Sequence, residues 1–143
     1  GLGYVDALFV RGTYQVKLPL PFVPGSEIAG TIEAVGEGVP GDLIGSRVMA
    51  LSNRGALAEK IAIPAAICTT IPDEMSAEAA AGFLVSYCTA IYGLDNCGKL
   101  QPGETVLVLG ASGGVGMAAI DVAKPWARAS SRPPRRRKSA MRP

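Results

Sequence analysis

At 143 residues the chain has about one domain's length, and 48% hydrophobic with 6% aromatic residues fits an α/β protein rich in small aliphatics. It holds no histidine, and its three cysteines, Cys68, Cys88 and Cys97, form no C-x-x-C pair. That excludes a Ser-His-Asp triad and an imidazole zinc site, and argues against a disulfide framework and a thiolate zinc knuckle. The net charge of +2 joins an acidic body to a basic tail: residues 1–124 carry 7 basic and 12 acidic groups, residues 125–143 carry 7 basic groups and no acid. No apolar run reaches the ~18 residues of a membrane helix and no signal peptide is visible, so no membrane partner and a cytoplasmic location are expected.

Residues 1–12 place apolar side chains at near-helical spacing with no evident cap, which predicts a short helix. Residues 17–25 are extended, because Pro19, Pro21 and Pro24 exclude helix. Residues 27–35 alternate and branch like a strand, and the glycines of residues 36–41 form a loop. Residues 47–51 and 58–63 read as two more strands with Gly55 in the turn between them, and residues 67–71 as a short one ending at Pro72. Ser76 is a good N-cap for a helical stretch that breaks near Gly82 and runs to about Leu94. Residues 96–98 end it, and residues 101–104 turn the chain again.

Residues 105–109, Thr-Val-Leu-Val-Leu, are expected to form a strand buried on both faces. Gly110-Ala-Ser-Gly-Gly-Val-Gly116 follows as a tight glycine turn, and residues 117–124 continue as an amphipathic helix. Strand, glycine turn and helix together are the phosphate-cradling start of a dinucleotide-binding fold. A purely structural glycine turn in another α/β unit is the alternative reading of the same residues.

After Lys124 the pattern is lost. Residues 125–143 have no apolar periodicity and are expected to be a disordered basic tail. Codons compatible with residues 126–138, regrouped after one added C, spell Leu-Gly-Ala-Arg-Val-Ile-Ala-Ala-Ala-Ser-Ser-Ala-Glu. That frame contains the strand a doubly wound domain needs next, so the tail reads as a frameshifted segment. The rival is a genuine basic tail for nucleic acid or an acidic surface, disfavoured on composition, with Trp126 its one aromatic.

Arg11-Gly-Thr-Tyr-Gln-Val-Lys17, Pro21-Phe-Val-Pro-Gly-Ser-Glu-Ile-Ala-Gly-Thr-Ile-Glu-Ala-Val-Gly36, Tyr87-Cys-Thr-Ala90 and the run from Leu100 to Gly116 resemble the medium-chain dehydrogenase/reductases. They are most similar to the zinc-free quinone oxidoreductase (zeta-crystallin-like) group. The resemblance implies a partial GroES-like β-rich catalytic domain with a helical connector over residues 1–94. It implies the first βα unit of a Rossmann domain over residues 95–124, in a fragment lacking both natural ends. It implies NADPH as cofactor, a quinone or enone as small-molecule substrate, and a homodimer for the full-length protein.

Zinc-dependent relatives carry Gly-His-Glu where this chain has Gly25-Ser26-Glu27, and serine does not replace imidazole on zinc. No metal site is therefore expected. By the same resemblance Tyr14 lies near the nicotinamide, the Thr89 hydroxyl lies near the cofactor, and Ser112, Gly113, Gly114, Val115 and Gly116 contact the pyrophosphate and nearby cofactor atoms. Packing of Tyr14 on Pro21 and Phe22, and back-bonding of Thr89 to its helix, are the plainer alternatives. Glu27 and Glu33 read as solvated or structural, and Asp121 as exposed. Family members usually have asparagine where Gly3 stands. No catalytic residue is assigned. Reduction of a quinone or activated alkene, an enoyl-thioester reductase of the same family, and a non-catalytic truncated product remain the three readings.

Overall fold

A computed structural model of the chain describes residues 1–52 and 54–128. It divides into two compact units, Gly1–Val85 and Ser86 onward. The first unit opens with helix α1 (Tyr4–Val10), as its apolar spacing requires. The start signal that the sequence does not make evident is Asp6, whose Oδ2 accepts the Gly3 backbone N–H at 2.7 Å, as an N3 carboxylate does in a capping box.

Strands β1 (Glu27–Thr31), β2 (Arg47–Leu51) and β3 (Thr69–Thr70) form an antiparallel sheet in that order. Glu27 pairs with Leu51 and Thr31 with Arg47, while Val48 and Met49 face Thr70 and Thr69. β2 lies between the other two strands, and Val48, Met49 and Ala50 are buried in succession, so both of its faces are covered. This is why it reads as an unbroken apolar run. β1 stops short of the expected Val35. Ile32 still exchanges hydrogen bonds with Ser46 and Gly45, at 3.0 and 2.8 Å, before the returning chain turns off through the 3-10 turn Gly41–Leu43.

Helix α2 (Ala77–Ala81) packs on β1. Ala80 is fully buried against Met49 and Ile71, with Ala29, Met75, Phe83 and Leu84 around them. The Arg47 guanidinium donates to the carbonyls of Pro72, Asp73 and Met75, tying β2 to the turn before α2. Ser76 caps α2 as expected, its Oγ accepting the Ala79 N–H at 3.2 Å. Ser76→Ala is expected to cost about 1 kcal/mol, checked by urea unfolding against the parent chain. Gly82 ends α2 and helix α3 (Leu84–Ile91) follows, closing in a π turn, Tyr92–Cys97.

Two expected strands are absent. Residues 58–63 show the alternation, with Ile61 and Ile63 half-buried and Lys60 and Ala62 exposed, but pair with no strand among the described residues. Residues 105–109 likewise join no sheet, and Leu107 and Leu109 are 83% and 86% exposed rather than buried. In both places the pattern specifies a face, and the neighbouring strand that would complete it is missing from the described residues. Helix α4 (Gly114–Arg128) begins in the glycine turn, three residues earlier than expected, and passes Lys124 with Pro125 inside it. The rest of the basic tail lies outside the described residues.

Candidate functional site

The glycine turn belongs to the second unit. Gly110 turns the chain with φ +72°, a left-handed conformation that glycine adopts without a Cβ clash. Gly113 then donates its N–H to the Gly110 carbonyl at 3.1 Å, and the Met117 N–H to the Gly113 carbonyl at 2.8 Å starts the α4 ladder. A Cβ on Gly116 would stand 2.3 Å from the Gly110 oxygen, so only glycine lets the first turn of α4 sit on the bend.

The N–H groups of Gly114, Val115 and Gly116 have no acceptor among the described residues. They are the orphan donors of a helix start, reinforced by the aligned peptide dipoles of a 15-residue helix. Ser112, Gly113, Gly114 and Val115 are exposed and Gly116 is half-buried, so the donors lie open to an anion.

Helix α3 contributes a neighbour that the sequence did not reveal. A Cβ on Gly114 would meet Ser86 Oγ at 2.9 Å, so Ser86 lies against the cradle. Thr89 is exposed three residues later, on the same helix face. That spacing was the available signal for Ser86. In the same unit Tyr87 donates its hydroxyl to Asp121 Oδ2 at 3.0 Å, and Lys124 Nζ donates to Oδ1 at 2.6 Å. Asp121 therefore ties α3 to α4. The hydrogen bonds from Lys124, then Tyr87, hold its carboxyl below the usual range, and the bond to Asp121 raises the Tyr87 phenol. In Asp121→Asn the Tyr87 phenol should ionise at a lower pH, seen by ultraviolet difference titration as an earlier onset for one of the four tyrosines.

Tyr14 lies in the first unit. It is half-buried, its ring centroid 4.6 Å from that of Phe9 at a tilt of 53°. Ser26 is also there: its hydroxyl donates to Asp6 Oδ1 at 2.8 Å, and Asp6 is only 3% exposed. Glu27, 6% exposed, accepts the Val85 N–H at 3.0 Å on Oε2 and so anchors the start of α3. Glu27 is thus structural rather than solvated, whereas Glu33 pairs with Lys60 on the surface at 2.6 Å. Among the described residues no three His, Cys, Asp or Glu side chains converge to hold a metal. No helix there is long and apolar enough to cross a membrane. A shallow groove of about 760 Å³, bordered by Phe22, Leu51, Arg54, Ile61 and Ile63, completes the first unit.

Residues 1–73 match the model of the alcohol dehydrogenase GroES-like domain. The chain belongs to that family. Quinone oxidoreductase-like protein 2 of Rattus norvegicus is 43% identical over 123 residues, 86% of this chain and 35% of the relative. The human synaptic vesicle membrane protein VAT-1 homolog is 44% identical over 124 residues, 87% of this chain and 32% of the relative. The quinone oxidoreductase of Thermus thermophilus, solved also in complex with NADPH, matches with a TM-score of 0.74 and 40% identity. That match covers 87% of this chain and 38% of the solved one. The CurK enoyl reductase matches with a TM-score of 0.78 and 34% identity, over 87% and 40% respectively. The chain spans about a third of the length of the curated relatives it matches.

Proposed function

We propose that this chain is part of a zinc-independent oxidoreductase of the cytoplasm that passes hydride from NADPH to a quinone or another activated alkene. The observation that carries the reading is the glycine cradle. Gly116 lies against the Gly110 carbonyl where no side chain fits, beneath three uncommitted N–H groups at the start of α4. A diphosphate supplies the charge and the acceptor oxygens that those donors lack. NADPH, when bound, supplies the hydride, and a quinone that accepts it with a proton becomes the hydroquinone.

This chain's residues would do the positioning. Ser112 to Gly116 hold the diphosphate, and the exposed Thr89 hydroxyl offers a hydrogen bond on the α3 face that Ser86 shares. Tyr14, its ring tilted against Phe9, is the residue that the family resemblance puts near the nicotinamide. Ser26 stands where zinc-dependent relatives have a histidine ligand, and Asp6 already engages its hydroxyl. An electron-poor acceptor needs no Lewis acid, which fits that replacement.

The likeness to the CurK enoyl reductase favours one second reading, an enoyl-thioester acceptor on the same cofactor site. The frameshift reading also stays a proposal, supported by a match to relatives that covers 124 of the 143 residues. It predicts that a version read in the alternate frame after Lys124, with the family's remaining length, oxidises NADPH when a quinone is added. Oxidation with an enoyl-thioester alone would select the second reading, and oxidation with neither would refute both. A single βα turn grips only the diphosphate, so the 143-residue chain should bind NADPH weakly. Low-micromolar affinity by fluorescence titration would contradict this.

A further inference from the structure

Ser86 comes to the glycine turn from another element of the same unit, helix α3. A Cβ on Gly114 would meet Ser86 Oγ at 2.9 Å but Ser86 Cβ only at 3.9 Å, so the hydroxyl is the end of the side chain turned toward the bend. A serine inside a helix often spends its hydroxyl on a carbonyl one turn back. Ser86 does not, and its hydroxyl has no hydrogen bond among the described residues. Nor is it sealed in, since no side-chain oxygen or nitrogen there is both buried and unpartnered. The half-buried Ser86 therefore keeps its oxygen open to solvent beside Gly114.

The uncommitted donors at this end of α4 thus come from two elements. Gly114, Val115 and Gly116 offer backbone N–H groups, and α3 adds an O–H from the side. Resting on the cofactor reading above, we propose that Ser86 is a further binding residue for the diphosphate, its hydroxyl donating to a phosphate oxygen held at Gly114. An ionised oxygen is the strong acceptor that this hydroxyl lacks within the chain. The same contact gives position 114 a reason to be glycine: a methyl group there would lie against the hydroxyl and turn it away. If Ser86 only filled space against the turn, its volume would matter and its proton would not.

Amide-resolved titration of the 143-residue chain tests this, with NADPH and separately with ADP-ribose, which keeps the diphosphate and lacks the nicotinamide. Ser86→Ala removes the hydroxyl and favours helix, so circular dichroism should match the parent. The initial slope of the Val115 and Gly116 shifts against ligand concentration should fall about tenfold with both ligands, as for loss of a hydrogen bond to a charged group. Ser86→Cys keeps the shape of the side chain but donates weakly, and should lose the same response. A slope retained in Ser86→Ala or in Ser86→Cys would overturn the proposal and leave the cofactor reading standing. A loss seen with NADPH but not with ADP-ribose would overturn it too, by moving the contact to the nicotinamide. Unmoved signals in the parent chain would overturn the cofactor reading and this proposal together.

Discussion

Gly116→Ala should dismantle the cradle. The new methyl group would stand 2.3 Å from the Gly110 oxygen, 2.9 Å from the Ala111 Cα and 3.0 Å from the Gly110 carbon, and all three are backbone atoms. No rotamer relieves such a clash, so either the bend opens or the first turn of α4 unwinds. Overpacking of this kind costs about 1–3 kcal/mol. The damage is directed, because the same movement scatters the three N–H donors. Hydrogen exchange at Met117, whose bond to the Gly113 carbonyl starts the ladder, should speed up strongly, and any response of the turn to NADPH should vanish. Gly113→Ala is the matched control. Its nearest neighbour would be the Gly110 oxygen at 3.5 Å, an ordinary contact, and the change should stay within about 0.5 kcal/mol.

The second large effect belongs to the first unit. Gly25 has φ +98°, and a Cβ there would meet the Leu57 nitrogen at 2.8 Å and the Ala56 Cβ at 2.9 Å. Residues 55–57 are strapped over it by hydrogen bonds from Gly55 to Val23 at 2.7 Å, Ala56 to Gly25 at 3.1 Å and Leu57 to Pro24 at 2.9 Å. Gly25→Ala therefore adds backbone strain to steric overlap, each costing about 1–3 kcal/mol. The buried core of the first unit is small, Val48, Met49, Ala50, Ile71 and Ala80, and among the described residues no large side chain is fully buried. Folded domains hold about 5–15 kcal/mol in reserve, so this substitution should take most of what the first unit has. It should also displace the adjacent Ser26 from Asp6. Urea unfolding should show a steep fall in midpoint for Gly25→Ala. Gly30→Ala, where open space surrounds the site, should show almost none.

These two glycines show what could be read from the sequence and what could not. Each lies in a local pattern, Pro-Gly-Ser-Glu or the glycine-rich turn, so the turns were legible. The reason Gly25 must be glycine is not local: it is closed over by residues 56 and 57, some thirty positions away. The same divide explains the buried carboxylates. Asp6 is held by Ser26, 20 residues on, and Glu27 by Val85, 58 residues on, so neither burial was visible in its own segment.

β2 was legible to the residue because burial on both faces writes itself into consecutive side chains. Ser76 and Gly82 were legible because caps are chemical and local. Residues 58–63 and 105–109 were legible only as faces. Whether such a segment becomes a strand depends on a partner, which its own pattern does not specify. Ser86 was missed because an isolated serine in a helix carries no periodic signal, and only its spacing from Thr89 marks it.

The central claim is that the turn at residues 110–116 seats a dinucleotide diphosphate. Amide-resolved nuclear magnetic resonance of the 143-residue chain, titrated with NADPH, tests it most directly because it registers weak binding residue by residue. The signals of Gly113, Gly114, Val115 and Gly116 should move progressively without saturating early, and should stay still in Gly116→Ala. Unmoved signals at those four amides, whatever happens elsewhere in the spectrum, would contradict the account.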